Sequence, residues 1–180
     1  MIGTKRLLEL VKEINLVENL CERELTNPEG EGFDLRVGEV YDIEGKDSFL
    51  GIIDRATPET SLIKSYNPHK SELIIFNPGD YRLIKTIEKL NLPNNISVLF
   101  TPRTTLQRSG IQLITSNASP GYSGGLTFGM KNIGKNKFTL ELGARIATAL
   151  FFETSENISN YRGQWTGGRV STQGKEEEQV

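Results

Sequence analysis

Hydrophobic positions near the start of the chain recur every three or four residues. Between residues 4 and 24 they form one stripe, and charged residues lie largely on the other side. This spacing predicts one amphipathic helix over about residues 4–24. The apolar positions of its stripe are Leu7, Leu10, Val11, Ile14, Val17 and Cys21.

The pattern changes after residue 32, where about ten short apolar runs are separated by Gly, Pro, Asn and Asp. A parallel α/β sheet needs a helix between successive strands, and the chain leaves no room for such helices. We therefore predict a mainly β fold, an antiparallel sandwich or barrel that follows one N-terminal helix. The runs are FDLRV, VYDI, FLGII, ELIIF, YRLIKTI, ISVLF, IQLIT, GLTFGM, FTLEL and ATALFF.

Two regions follow from the composition of the chain. Residues 1–160 are predicted to form a single β domain. Residues 161–180, which we call the C-terminal arm, are rich in glycine and end in KEEEQV. This composition predicts a mobile arm with a solvated end.

Length, charge and cysteine content narrow the class of protein. The chain has 180 residues with 36% hydrophobic and 24% charged positions, which is typical of one globular domain. Its formal net charge of −2, with mixed signs, argues against a nucleic-acid partner. Cys21 and His69 are the only cysteine and histidine, which excludes an internal disulfide and a Cys/His zinc site. No apolar run approaches the roughly 20 residues of a membrane span and no signal-peptide cleavage site is visible, so we expect a cytoplasmic protein without membrane contact.

Candidate binding chemistry begins in TPRTTLQRSG, residues 101–110, which we call the phosphate segment. It sets Arg103, Thr104, Thr105 and Arg108 within six residues. Guanidinium and hydroxyl donors next to the backbone N–H groups of a turn complement phosphate oxygens. The alternative is a surface turn with solvated arginines.

SNASPGYSGG (116–125) and WTGGRVSTQG (165–174) have a similar character. Their glycines allow the backbone to approach a ligand, and their Ser and Thr residues offer hydrogen bonds. Tyr122 and Trp165 are candidates to contact a base or sugar, or to pack in a core or interface.

Five ordered segments together resemble the superfamily of dCTP deaminases and trimeric dUTPases. They span roughly residues 30–174 and are EGFDLRVG, TIEKLNLPNNISVLFTPRTTLQRSGI, SPGYSGGLTFGMKNIG, LELGARIATALFF and YRGQWTGGRVSTQG. The resemblance implies a distorted antiparallel jelly roll, a homotrimer with nucleotide sites between subunits, and deamination of dCTP or hydrolysis of dUTP. It also implies Mg²⁺ held through the nucleotide's triphosphate rather than directly by the protein.

The same resemblance assigns roles to individual residues. Thr104 matches a catalytic-site serine, and Tyr122 matches an aromatic residue that disfavours a 2′-hydroxyl. Tyr161 and Gln164 match arm positions that close on the nucleotide. The full set of implied nucleotide-binding residues is Arg103, Thr104, Thr105, Arg108, Ser119, Tyr122, Thr127, Phe128, Tyr161, Gln164, Ser171 and Thr172.

The sequence departs from the superfamily at both acidic positions. Ser119 stands where dUTPases place the aspartate that activates water, and Gly129 where deaminases place a glutamate proton shuttle. Asn117 stands at the place of an arginine, and Thr148 at that of a glutamine. A positioned general base contributes about 10²- to 10⁴-fold in rate, and serine needs an activator to act as one. We therefore predict nucleotide binding with weak or absent activity by the usual route.

Several alternatives remain open at this point. The chain is an enzyme of pyrimidine deoxynucleotide metabolism, a catalytically silent nucleotide-binding or regulatory trimer, or a purely structural jelly roll. Asp34 and Glu141 are candidate substitute carboxylates, although the position of Asp34 is structural in deaminases. Glu88 also matches a position with a structural role.

Overall fold

The structure is a computed structural model that describes residues 1–45, 47–156 and 161–179. The boundary predicted at residue 160 lies outside these ranges. Within them the helices are α1 (Thr4–Ile14), α2 (Glu22–Thr26) and α3 (Thr104–Arg108). The strands are β1 (Val17–Glu18), β2 (Gly32–Glu44), β3 (Phe49–Leu50), β4 (Asp54–Ala56), β5 (Glu59–Ser65), β6 (Leu73–Phe76), β7 (Tyr81–Asn91), β8 (Ile96–Pro102), β9 (Ile111–Ile114), β10 (Ser123–Asn132), β11 (Phe138–Glu141), β12 (Arg145–Glu153) and β13 (Glu177–Glu178).

The N-terminal helix is shorter than predicted, and the prediction of one helix over residues 4–24 was wrong in its extent. Asn15 has φ 53° and ψ 43°, and its N–H donates to the Leu10 carbonyl, which ends α1. Val17 then pairs with Leu90 of β7. Residues after Ile14 have apolar spacing that also fits a helix, but Val17 and Glu18 form a strand because they pair with β7.

The mainly β, antiparallel prediction is confirmed. One sheet has the strand order β8-β12-β2-β7-β10-β9, with β1 also paired to β7 and β5 to β2, and it forms a nearly closed barrel-like surface. Two small sheets, β11-β6 and β13-β4-β3, complete the fold. Register shifts occur where β2 meets β12, β5 and β7. Such bulges bend a strand and allow it to belong to two parts of a curved sheet.

Inward-facing positions of these strands build one hydrophobic core. Phe33, Leu35, Ile84, Met130 and Phe151 have no exposed surface. The apolar stripe of α1 adds Leu7 and Leu10 to this core. In the part of the chain that the structure describes, no helix has the length and apolarity needed to cross a membrane.

A buried ion pair joins the two central strands β2 and β7. Glu88 has no exposed surface, and its two carboxylate oxygens accept hydrogen bonds from Arg36, at 2.6 Å from Nε and 2.7 Å from the backbone N. Burial raises the pKa of the Glu88 carboxyl, and the bonds from Arg36 oppose that shift. This position agrees with the structural role expected for Glu88.

Candidate functional site

A cavity of about 500 Å³ lies between β10, the turn before it and the C-terminal arm. The turn contributes residues 116–119, β10 contributes residues 125–128, and the arm contributes Trp165 and residues 169–171. Aromatic rings and hydroxyl groups make up much of its wall. Six residues predicted from the sequence lie here: Ser119, Tyr122, Thr127, Phe128, Tyr161 and Ser171.

Tyr122 stabilises the turn that lines the cavity. Its hydroxyl donates to the Gly125 carbonyl at 2.6 Å, and its ring meets the edge of Tyr161 at 5.4 Å between centroids. Burial raises the pKa of the Tyr122 phenol to about 12. The side chain is therefore a neutral, immobilised wall at physiological pH.

Thr127 presents a hydroxyl whose hydrogen-bonding capacity is unused. Its Oγ1 atom is buried and has no partner among the described residues. Thr127 lines the cavity, so this unpaired oxygen belongs to a residue of the cavity wall. Leaving a buried hydroxyl unpaired costs free energy, and such groups in native proteins often mark a binding position.

The space beside Gly129 is filled by Tyr81, a residue that the sequence did not single out. A Cβ atom built on Gly129 would lie 2.5 Å from the Tyr81 hydroxyl oxygen and about 3.0 Å from its ring. Tyr81 lines the cavity as well. The tyrosine thus occupies the volume into which a side chain at position 129 would extend. Only the pairing of Gly129 with Leu83 reveals this, because it brings β7 alongside β10 in the required register.

The phosphate segment lies outside the cavity of its own chain. Arg103 lies between β8 and α3, and its Nη1 donates to Asp34 Oδ2 at 2.5 Å. Thr104, Thr105 and Arg108 belong to α3 and are exposed. Within one chain, the structure does not bring the predicted phosphate donors to the predicted base pocket.

Asp34 is fully engaged by neighbouring side chains. Its Oδ2 also accepts from Arg145 Nη1 at 2.8 Å, and its Oδ1 accepts from Thr148 Oγ1 at 2.7 Å. Glu141 accepts a hydrogen bond from Ser71 at 2.7 Å, at the end of β11. Neither carboxylate lines the cavity, so neither takes the place of an acid there.

The cavity wall contains no carboxylate among the residues that the structure describes, and Arg169 is its one charged side chain there. Ser119 Oγ accepts a bond from the Asn117 side-chain amide at 3.3 Å, and an amide is no general base. Within the described ranges, no cluster of three or more His, Cys, Asp or Glu side chains is arranged to hold a metal ion. The wall therefore offers binding groups without an acid or base.

The C-terminal arm, predicted to be mobile, is docked against β4 and β5 over residues 161–179. The ring of Trp165 contacts two guanidinium groups, whose Cζ atoms lie 4.6 Å (Arg55) and 4.9 Å (Arg169) from the ring centroid. Both arginines also bind Glu177 of β13, which pairs with β4. The charged end of the chain is thus partly built into a small sheet.

Two predicted ligand contacts are used inside the protein to hold this arm. Thr172 Oγ1 accepts from the backbone N of Thr57 at 2.9 Å, and the Thr172 N–H donates to Thr57 Oγ1 at 2.7 Å. Gln164 bonds to the Arg55 side chain and to the Glu178 carbonyl. Neither Thr172 nor Gln164 lines the cavity, so in this closed arrangement both tether the arm.

Glycines allow the arm to cross β10 at very short range. Gly124 has φ +140°, and a Cβ there would lie 2.5 Å from the Gly168 nitrogen. The Gly167 N–H donates to the Ser123 carbonyl at 2.7 Å across the same crossing. The arm can close the cavity at this place only because both backbones lack side chains.

Replacing Gly124 with alanine should therefore displace the C-terminal arm from β10. The clash with backbone adds to strain of about 1–3 kcal/mol, and 1 kcal/mol alone corresponds to about a fivefold rise in the open population. Trypsin cleavage after Arg162 or Arg169 should accelerate accordingly. Gly79→Ala is a matched control, since Gly79 also has a positive φ but has no atom near its Cβ position. Equal cleavage rates for the two variants would show that the glycine crossing does not hold the arm.

Comparisons with known proteins agree with the fold and point to one family. The dCTP deaminase-like family model matches residues 2–154. The deoxyuridine 5′-triphosphate nucleotidohydrolase of Methanocaldococcus jannaschii is 31% identical over 156 residues, which cover 85% of this chain and 94% of that protein. The dCTP deaminase of Pyrococcus abyssi is 29% identical over 139 residues, 77% of this chain and 79% of that protein.

A solved structure shows a similar fold. The 2′-deoxycytidine 5′-triphosphate deaminase from Agrobacterium tumefaciens superposes with a TM-score of 0.65 at 13% identity, over 86% of this chain. The superposed region is 48% of that deaminase, so this chain spans about half of its length. The barrel-like sheet described above is therefore an architecture that a deaminase also uses.

Proposed function

Because this chain belongs to the dCTP deaminase-like family, we propose that it binds a pyrimidine deoxynucleoside triphosphate of the dCTP or dUTP type. The observation that supports this most directly is the cavity itself. It combines aromatic walls from Tyr122, Tyr161 and Trp165 with the unpartnered Thr127 hydroxyl. Aromatic faces and a few placed polar groups suit a nucleobase and its sugar.

The triphosphate is proposed to be bound in a homotrimer, at the junction of two subunits. Thr104, Thr105 and Arg108 have phosphate-binding chemistry, are exposed, and do not reach the cavity of their own chain. A neighbouring copy that presents this segment would add cations to a cavity whose one charged side chain, among the described residues, is Arg169. Mg²⁺ would then be bound by the phosphate oxygens and would neutralise part of their charge, since the described residues provide no acidic cluster for it.

Turnover is proposed to be slow or absent by a route that depends on a carboxylate. The described cavity wall contains none, and the Asn117 amide is the one hydrogen-bond partner of the Ser119 hydroxyl among the described residues. Loss of a positioned base costs about 10²- to 10⁴-fold in rate. The cavity wall has groups that can bind a nucleotide but, among the described residues, no carboxylate to transfer a proton. This favours a nucleotide-binding or regulatory protein over an efficient enzyme.

Two measurements on the purified protein test this function. Ammonia and pyrophosphate are followed with dCTP and dUTP plus Mg²⁺, and thermal unfolding is followed with the same nucleotides. We expect little product, and stabilisation of about 2.7 kcal/mol at a nucleotide concentration one hundred times the dissociation constant. UTP is the matched control, because Tyr122 should disfavour its 2′-hydroxyl. Turnover at an ordinary enzyme rate would overturn the proposal of slow or absent activity. If millimolar nucleotide failed to stabilise the protein, the proposal of nucleotide binding would be overturned.

A further inference from the structure

We propose that the hydroxyl groups of Tyr81 and Thr127, which lie beside Gly129 on one face of the sheet, form a neutral pair that hydrogen-bonds to the polar edge of the base. This inference rests on the proposed function, because it needs a nucleotide in the cavity. It names two specificity-determining side chains for that site. Three features of the structure lead to it.

The first feature is the shared face of these residues. Thr127 and Gly129 are two positions apart in β10, so their side-chain directions point to the same face. Gly129 pairs with Leu83, which places Tyr81, two residues earlier in β7, diagonally across from Gly129. Tyr81, Leu83 and Thr127 all line the cavity.

The second feature is that both hydroxyls are unused. Thr127 Oγ1 is buried without a partner, and the Tyr81 hydroxyl makes no hydrogen bond to any residue in the described ranges. Tyr122, the other cavity tyrosine with a raised pKa, differs in its hydrogen bonding, because its hydroxyl donates to the Gly125 carbonyl. Two hydroxyls without a protein partner in the described part of the chain, on one face of the cavity wall, are placed to meet polar atoms of a ligand.

The third feature is the dependence of Tyr81 on glycine at position 129. A Cβ on Gly129 would come within 2.5 Å of the Tyr81 oxygen and 3.0–3.1 Å of its ring carbons. The ring therefore reaches this place only because residue 129 has no side chain. The phenol of Tyr81 thus occupies the space that a side chain at position 129 would fill, and it depends on glycine at that position.

The chemistry of the pair explains what it can recognise. Each hydroxyl can both donate and accept a hydrogen bond and rotates to suit its partner. The pair can thus meet the carbonyl and N–H of uracil or the ring nitrogen and amino group of cytosine. Burial raises the pKa of the Tyr81 phenol, so it stays protonated near neutral pH and does not act as a base. We expect similar affinity for both bases.

The test measures binding of α,β-imido-dUTP and α,β-imido-dCTP by calorimetry to the full chain and to Tyr81→Phe and Thr127→Val. Each variant should weaken both ligands about 5- to 20-fold, the effect of losing one neutral hydrogen bond and leaving a ligand atom unpaired. Tyr66→Phe is a matched control outside this cavity, because Tyr66 is 36% exposed, as is Tyr81. It should bind both ligands as the unmodified protein does.

Thermal unfolding without ligand separates this role from simple packing. Because Thr127 Oγ1 has no partner, Thr127→Val should melt at or above the temperature of the unmodified protein while it binds nucleotide more weakly. A purely structural threonine would lose stability instead.

The outcomes are distinguishable. Unchanged affinity in both variants, with binding by the unmodified protein, would overturn this inference and leave the proposed function standing. Weakening of only one of the two ligands would overturn the claim that the pair serves both bases. Failure of the unmodified protein to bind either ligand would overturn both proposals together.

Discussion

A triple variant, Ser119→Asp/Gly129→Glu/Tyr81→Ala, should release ammonia from dCTP about 10² to 10⁴ times faster than the unmodified protein. The substitutions place carboxylates where the superfamily pattern has them. The double variant without the change at Tyr81 should stay near the unmodified rate, because the Tyr81 oxygen lies 2.5 Å from the Cβ position of residue 129. Steady-state ammonia release at saturating dCTP measures the effect as kcat.

A control variant of similar shape separates the effect of the new carboxylates from the effect of the space freed at position 81. Ser119→Asn/Gly129→Gln/Tyr81→Ala has nearly the same shape and no carboxylate, and it should remain as slow as the unmodified protein. A triple variant that is folded and binds nucleotide but stays inactive would show that more than the two acids separates this chain from an active deaminase. Asn117 would then be the next position to change.

The second large effect concerns stability. Glu88→Ala should lower the free energy of unfolding by about 3–5 kcal/mol, because it leaves the Arg36 guanidinium buried without its partner. The pair is well shielded from solvent, with side-chain exposures of 15% for Arg36 and 0% for Glu88. For a chain of this size the melting temperature should fall by roughly 10 °C. Thermal unfolding at a fixed protein concentration measures it.

Two further variants make this prediction specific. Arg36→Met/Glu88→Leu replaces the pair by apolar groups and should recover much of the loss, since the cost comes from the unpaired charge. Glu9→Ala removes a partner from an exposed pair with Arg6 and should leave the melting temperature nearly unchanged. If Glu88→Ala melts like Glu9→Ala, the buried pair does not stabilise the junction of β2 and β7.

The sequence by itself determined the architecture and part of the cavity wall. Short apolar runs without intervening helices require antiparallel pairing, and the structure has that pairing. The turn with Ser119 and Tyr122 and the strand with Thr127 are local features, so their order along the chain was enough to place them together. These elements follow from periodicity and turn chemistry, which act over a few residues.

Only the tertiary structure decided which distant groups meet. The position of Tyr81 beside Gly129 depends on the register between β7 and β10, and a shift of one residue would turn the ring to the other face. The capture of Arg103 by Asp34 and the closure of the arm over β10 are contacts between residues far apart in sequence. Local pattern does not encode such contacts, because they arise from the packing of elements whose relative placement is a property of the whole chain.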